Sequence, residues 1–399
     1  MFGDGVDIVR NCIRDLNPRN VSMGLVSGLM AYTGPPVIML DAALKGNFTV
    51  EQTVFWMFSV YFFGGLFSII MPIVFKIPAT GAHSITGVTF LATVVHLFPY
   101  SELIGAYIMG GILIFLTGAF KLFSKLMKYV PREIFAAMMA GLIAGYVVRM
   151  IDAVHDLPIV GGAALLAFFL LSKWNGAIPP VVGAVIAGIA ALFLTRDFPD
   201  IAAGSSFFLP EIQIPAFSPL AFFSVSIPLA LLILSNDIAP GLSGLEQNRY
   251  HPPVNRLVAF SGLFSSVSGL FGGQSANLAG MMTAICSGEE AGPREKRYMA
   301  SVVSGAMLLV FGVFAWKVVP FVQALPRAFV ALLAGFSLIG VMASSLNLAF
   351  SRPGLRLGTT FAFAIAASDF SLFYINAPIW ALLGGTLIAR WIERQRAAG

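Results

Sequence analysis

Asp237 is the residue whose chemistry stands out first. It follows the uncharged stretch Ile227 to Leu234, within Ser235-Asn236-Asp237-Ile238-Ala239-Pro240-Gly241. A carboxyl inside an apolar run is costly unless it is paired or used, so its default reading is functional. It sits about four residues, or roughly 6 Å, past the middle of a helix expected over 220–245. That depth suits a proton carrier that exchanges its proton as substrate comes and goes, with Asn236 beside it as a substrate contact. A structural ion pair, or a cap that ends the helix before Pro240-Gly241, is the plainer alternative.

Two further stretches place small or hydrogen-bonding residues where helices should begin. Val74 to Ala79 resists helix through Pro78 and leads into Thr80, Gly81, His83 and Ser84. Gly269 to Gly273 carries three glycines and leads, through Gly272 and Gly273, into Gln274, Ser275 and Asn277. Broken helices that meet near a membrane midplane aim N-terminal dipoles and free N–H groups into one cavity, which is an anion site. His83 can donate to a carboxylate or carry a proton, and serves packing equally well. Tyr32-Thr33-Gly34-Pro35-Pro36 interrupts the first helix, so that freed carbonyls line the same cavity or simply mark a proline kink. Gly24-x-x-x-Gly28 and Gly141-x-x-x-Gly145 have the spacing of close helix contacts. Asp41, Asp152, Asp156 and Asp369 fall near helix ends, where solvation accounts for them.

Catalysis finds little support. His83, His96, His155 and His251 are far apart, and there is no H-E-x-x-H, P-loop or dinucleotide fingerprint. No catalytic residue, metal site or cofactor is expected, and without an ATP site the chain reads as a gradient-driven transporter or a channel. Cys12 and Cys286 show no metal spacing and cannot be paired as a disulfide from sequence.

The elements that must position these residues are membrane helices. Of 399 residues 58% are apolar and 11% charged, well under the roughly 25% charge of a soluble domain. The long runs do not alternate as a β-barrel requires. Apolar segments fall near 21–40, 53–73, 82–96, 101–120, 131–150, 159–172, 178–195, 220–245, 254–268, 275–287, 297–319, 326–348, 357–368 and 371–391. That makes fourteen transmembrane segments, of which 82–96 and 275–287 are too short for a full span of about 20 residues. These are broken segments 3 and 10, each preceded by a short extended stretch.

The chain repeats itself. Gly111, Gly118 and Phe120 match Gly305, Gly312 and Phe314 at an offset of 194, and Gly87 matches Gly280 at 193. Pro131-Arg132 and Pro326-Arg327 open the next segments, continuing as Ala-Met-Met-Ala-Gly (137–141) and Ala-Leu-Leu-Ala-Gly (331–335). Two halves of seven crossings each must enter from opposite sides and are therefore inverted. The expected organisation is a cytoplasmic lead-in over 1–20, a first repeat over 21–200 and a second over 215–396. Charge agrees with both termini inside. Of 24 Lys and Arg, Lys45, Arg149, Arg196, Lys317 and Arg327 fall outside; the other nineteen, Arg10, Arg394 and Arg396 among them, fall inside. The net charge of +5 thus reflects topology and does not point to a nucleic acid.

Tyr250-His-Pro-Pro-Val254, Phe271-Gly-Gly-Gln-Ser-Ala-Asn-Leu-Ala279, Thr283-Ala-Ile-Cys-Ser-Gly288 and Arg297-Tyr298 resemble the benzoate:proton symporter family of bacterial inner membranes. Gly28-Leu-Met-Ala-Tyr-Thr33, Met138-Met-Ala-Gly141 and Ala377-Pro-Ile-Trp380 extend the likeness over most of the chain, and Phe271 to Ala279 is its most specific motif. The resemblance implies the seven-plus-seven inverted-repeat fold of nucleobase and sulfate permeases. In that fold a core domain moves against a gate domain as an elevator, with the site between segments 3 and 10, facing 1 and 8. Two departures stand out. Ala79-Thr-Gly-Ala-His-Ser84 replaces a Trp-Ser-Thr-Pro-Gly-like stretch. Asn236, Asp237 and one extra residue before Pro240-Gly241 replace a neutral Ser-Gln-Asn-Leu-Pro-Gly-like turn. An acid there is closer to the nucleobase permeases, where a carboxylate in the eighth helix holds substrate.

The sequence therefore predicts an all-α polytopic protein of the inner membrane, both termini cytoplasmic, that couples protons to symport of a small organic anion, first an aromatic carboxylate such as benzoate. The partners expected are that anion, protons and membrane lipid, with no nucleic acid; a homodimer stays open. The alternatives are a nucleobase-type or inorganic-anion permease of the same fold and, from another class, a channel or non-transporting scaffold.

Overall fold

Proline, glycine and capping side chains decide where many of the helices start. The computed structural model describes residues 12–129, 131–173, 180–195, 209–368, 370–372 and 375–393. Arg10, Arg196, Asp369, Arg394 and Arg396, most of the 1–20 lead-in and the junction up to residue 208 lie outside the described residues. Asn17 caps α1 (Pro18–Thr33) by accepting from the N–H groups of Arg19 and Asn20. Gly34 then breaks the chain before α2 (Pro35–Lys45), as the Gly-Pro-Pro sequence predicts. A Thr49/Gln52 capping box starts α3 (Val50–Phe75).

An extended stretch containing β1 (Gly81–Ala82) leads to α4 (Ile85–Leu91), whose N-cap is Ser84. α5 (Tyr100–Ala119), α6 (Phe123–Tyr129), α7 (Arg132–Asp156), α8 (Pro158–Lys173) and α9 (Pro180–Thr195) complete the first half. The second half runs through α10 (Pro219–Gln247), α11 (Val254–Leu270), β2 (Asn277–Leu278), α12 (Gly280–Ser287), α13 (Tyr298–Val313), α14 (Ala315–Gln323), α15 (Arg327–Ala349), α16 (Arg356–Ala366), the small β3 (Ser371–Leu372) and β4 (Ile375–Asn376) hairpin, and α17 (Ala377–Ile388).

Among the described residues, seven helices are long and apolar enough to cross a membrane: Pro18–Lys45, Val50–Phe75, Tyr100–Ala119, Arg132–Asp156, Pro219–Gln247, Arg294–Val313 and Arg327–Ala349. α8 and α9 are apolar but shorter. Their outward faces carry Leu166, Phe169, Leu170 and Leu194, the last 88% exposed, as lipid contact requires.

The largest contacts join α5 to α11, α3 to α13 and α7 to α15. The repeat-matched glycines make the first two possible. A Cβ at Gly111 would meet the backbone N of Ser266 at 2.5 Å, and one at Gly118 that of Ala259 at 2.3 Å, both on α11. Their counterparts on α13 meet α3: Gly305 at Gly65 O, 2.7 Å, and Gly312 at Phe62 N, 2.9 Å. Small residues let backbones approach where lipid supplies no hydrophobic drive. Buried hydroxyl bonds add to this, including Ser59 Oγ to Ser268 O at 2.6 Å and Ser304 to Ser27 at 3.1 Å. Gly262 lies tighter still, with backbone N of Phe115 2.1 Å from its Cβ position. Gly262→Ala is expected to destabilise by about 1–3 kcal/mol through overpacking, read as a lower unfolding midpoint in detergent.

Four sequence expectations change. The segment at 297–319 breaks at Phe314 between α13 and α14. The tenth segment becomes helical only at Gly280, because Asn277 and Leu278 are taken into a strand. Gly24 and Gly28 pack on Val303 and Met307, and Gly141 on Phe363 O, but a Cβ at Gly145 would meet nothing within 4 Å; Gly145 faces open space. Asp41 is not simply solvated: it pairs with Lys45 at 2.8 Å and accepts from the Tyr146 hydroxyl at 2.9 Å. Cys12 and Cys286 are both free and buried.

Candidate functional site

The two extended stretches meet. β1 and β2 pair antiparallel, Gly81 with Leu278 and Ala82 with Asn277, so each half satisfies the irregular backbone of the other, as the membrane interior demands. The crossover is held from all sides. Ser68 on α3 accepts from Gly81 N (2.6 Å) and donates to its carbonyl (2.8 Å). Thr283 accepts from Thr80 N, and the Thr80 hydroxyl bonds Ser301 at 2.6 Å. Ser265 and Ser261 take the N–H groups of Ala276 and Leu278. Thr80 and Gly81 therefore have their polar groups committed to the framework.

Ser84 joins the halves a second time. Its N–H donates to Ser275 Oγ at 2.9 Å, and its hydroxyl caps Gly87 N at 2.9 Å and bonds Thr86 Oγ1 at 2.9 Å. Gln274 accepts from the indole of Trp56 and donates to Ser84 O. Gly273 has no room for a side chain, since its Cβ would lie 2.2 Å from Ser268 Oγ.

Asp237 approaches this crossover from α10. The helix runs through Asp237 and Pro240 without ending, but Ile233–Ile238 widens into a π turn, which holds one more residue than an α turn and recurs at functional sites. The π turn packs on β2, α4, α12 and α7. The Asp237 carboxyl faces the hydroxyls of Ser84 and Thr86, and its main-chain oxygen would lie 3.3 Å from a Cβ at Gly280. Asp237 is neither a cap nor a member of any ion pair among the described residues.

Buried polar atoms are nearly always hydrogen-bonded. Among the described residues, seven buried side-chain atoms have no partner, and four of them belong here: His83 Nε2, Asn236 Nδ2, Asp237 Oδ2 and Asn277 Oδ1. An aromatic wall adjoins His83. His83 packs edge-on to Tyr61 (5.0 Å), Tyr61 meets Phe311 (4.6 Å), and Phe311 stacks on Tyr32 (4.4 Å). Tyr61 donates to Ala31 O, a carbonyl near the α1–α2 break, whereas the Thr33 hydroxyl turns back to Met30 O.

The structure thus gathers His83, Ser84, Asn236, Asp237, Gly273, Gln274, Ser275 and Asn277 at or beside one crossover, with Tyr32 on its aromatic side. Ser275 and Asn277 lie in extended backbone and not in the first turn of α12. Sequence reasoning missed Thr86, Trp56, Tyr61 and Phe311. Thr86 carried a signal, a second hydroxyl in the first turn after Ser84; the aromatics carried none, since Phe and Tyr along apolar helices read as core or lipid contacts. No cluster of three or more metal-ligating side chains occurs among the described residues.

Known proteins resemble the chain in fold and, separately, in sequence. The transmembrane domain of a cyanobacterial bicarbonate transporter, BicA, superposes with a TM-score of 0.58 at 16% identity, covering 93% of this chain and 97% of that one. SLC26A9 does so with a TM-score of 0.58 at 14% identity, over 94% and 65%. In sequence, the chain is 27% identical over 365 residues to the benzoate membrane transport protein of Acinetobacter baylyi, spanning 91% of this chain and 92% of that protein. It is 28% identical over 369 residues to the inner membrane protein YdcO of Escherichia coli, spanning 92% and 94%. The family model described as benzoate membrane transport protein matches residues 14–391, and the chain accordingly belongs to that family of multi-pass membrane transporters.

Proposed function

We propose that the chain is a proton-coupled symporter that carries a small aromatic carboxylate, benzoate first among them, across the bacterial inner membrane. The observation that carries this reading is the Asp237 carboxyl on its π turn, one oxygen unpartnered and the group facing Ser84 and Thr86 beside a wall of aromatic rings. Ser84, Ser275 and Asn277 offer hydroxyl and amide groups to a carboxylate, and Tyr32, Tyr61 and Phe311 offer ring faces and edges to an aromatic body. Thr33, Thr80, Gly81, His83, Gly273 and Gln274 shape or line the same pocket. Two negative charges in a dry cavity repel strongly. An anion therefore binds beside Asp237 together with a proton, which removes the charge and turns the acid into a donor. Coupling follows from that electrostatics without a separate device.

The proposed topology is fourteen crossings with both termini inside, in inverted repeats over 21–200 and 215–396. The equivalent use of Gly111 with Gly305, and of Gly118 with Gly312, supports it. Segments 1–4 and 8–11 form the core that shifts against the remaining gate segments.

A nucleobase-type permease is the second reading, favoured by Asn236 Nδ2 and Asp237 Oδ2, an unpartnered donor and an unpartnered oxygen on neighbouring residues, as a planar ring amide would use. Thermal unfolding of purified protein against aromatic carboxylates, nucleobases and inorganic anions separates the two. A ligand at 100 times its Kd stabilises by about 2.7 kcal/mol. Benzoate is expected to raise the midpoint. A response to nucleobases alone transfers the site to the second reading, and no response to any ligand favours a channel or scaffold.

A further inference from the structure

A cavity lies away from Asp237. The ends of α2, α4 and α16, the middle of α7 and the start of α17 surround about 580 Å³, within the range of roughly 300–1,000 Å³ of small-molecule sites. It opens at the end of α4 opposite Ser84, one seven-residue helix, or about 10 Å, from the Asp237 turn. Leu97 and Phe370 give it apolar walls, and Lys45, His96, Tyr146 and Arg149 give it polar ones.

The charges in this cavity are unevenly spent. Lys45 is neutralised by Asp41, which also holds the Tyr146 hydroxyl. Arg149 is different: its guanidinium lies over the Tyr146 ring, 4.8 Å from the centroid, and no carboxylate among the described residues lies within ion-pair distance of it. The ring holds the guanidinium in place while leaving its donors free. Gly145, just over one helical turn before Arg149, lines the same cavity, and a side chain there would project into open space. A residue larger than glycine would narrow the passage toward α4.

We propose that this cavity is a capture site for organic carboxylates, in which Arg149 binds the anion before it passes along α4 to Asp237. The passage to Asp237 rests on the transport reading above; capture in the cavity does not. An arginine without a carboxylate partner among the described residues raises local anion concentration and on-rate in such a cleft, and its fork matches a carboxylate with two parallel hydrogen bonds.

Two measurements test it. In proteoliposomes with an inward proton gradient, after subtraction of protein-free uptake, Arg149→Gln is expected to raise the benzoate KM about tenfold at low ionic strength. Vmax should change far less, and the KM difference should shrink at high salt. Gly145→Leu, with nothing to clash against, should raise KM while leaving the unfolding midpoint at the wild-type value. Independently of transport, Gly145→Cys should react several-fold faster with an anionic than with a cationic thiol reagent, benzoate should protect it, and Arg149→Gln should remove both effects. The native thiols, Cys12 and Cys286, are buried. Charge-selective labelling with benzoate protection, in a protein that takes up no benzoate, keeps the capture site and ends the transport reading. Labelling indifferent to reagent charge, with a wild-type KM in Arg149→Gln, overturns the proposal and leaves Arg149 as a headgroup anchor.

Discussion

Asp237→Asn is expected to abolish proton-driven accumulation of the carboxylate while exchange of internal for external substrate continues. Asparagine keeps the size of the side chain and its place on the π turn beside Ser84 and Thr86, so the substrate pocket stays shaped. What disappears is the negative charge that a proton must neutralise before the anion can bind beside it. Uptake under an inward proton gradient should fall to the rate seen without one, and its dependence on external pH should vanish. Counterflow of labelled substrate in the same vesicles provides the control. An Asp237→Asn protein that retains the wild-type pH dependence would exclude Asp237 as the proton site. The nucleobase reading predicts a different loss: a hydrogen bond to a charged group contributes about 1.5–3 kcal/mol, so binding itself should weaken roughly 10- to 100-fold and counterflow should fail as well.

Gly81→Val should produce the other large effect, by a route that touches no charge. Gly81 lies against α3, where a Cβ would meet Phe67 Cδ1 at 2.6 Å and Gly64 O at 2.8 Å. The neighbour that cannot yield is the Gly64 carbonyl, which is backbone. Valine would push β1 off α3 and strain its register with Leu278, displacing His83 and Ser84 two and three residues on. Overpacking of this kind costs about 1–3 kcal/mol, and the displaced crossover should also lose ligand binding. The expected measurement is a lower unfolding midpoint that benzoate no longer raises. Gly81→Val protein that folds and responds to benzoate as wild type does would mean that the crossover does not position the site.

Local chemistry was legible in the sequence wherever one short stretch decides the outcome. Gly34-Pro35-Pro36 breaks the first helix, Ser84 caps α4, and Pro131 and Pro326 stand before α7 and α15, because caps and prolines act within a turn. Asp237 was legible because a lone carboxyl in an apolar run is too costly to keep unless the protein uses it. What escaped depends on distant partners. Helix α12 starts at Gly280 because Asn277 and Leu278 are claimed by Gly81 and Ala82, almost two hundred residues earlier. The π turn at Ile233–Ile238 has no local signature, since the same residues would fit an α turn with Asp237 rotated by one position. Gly145 shares its spacing with packing glycines and differs only in what stands opposite, which the sequence of α7 does not encode. The cavity that Gly145 lines needs parts of five elements and could not be read from any one of them.

The two-residue ladder at the crossover also sets a timetable for the newborn chain. Ala82 finds its strand partner in Asn277, 195 positions later by subtraction of the paired numbers, and ribosomes add about 5–20 residues per second. Gly81 and Ala82 thus emerge about 10–40 s before the backbone that completes them exists. Throughout that interval a stretch of unpaired N–H and C=O groups belongs to a chain whose neighbouring helices already prefer lipid. The first half must then be sheltered by the insertion machinery, or held at the interface, until segment 10 is made.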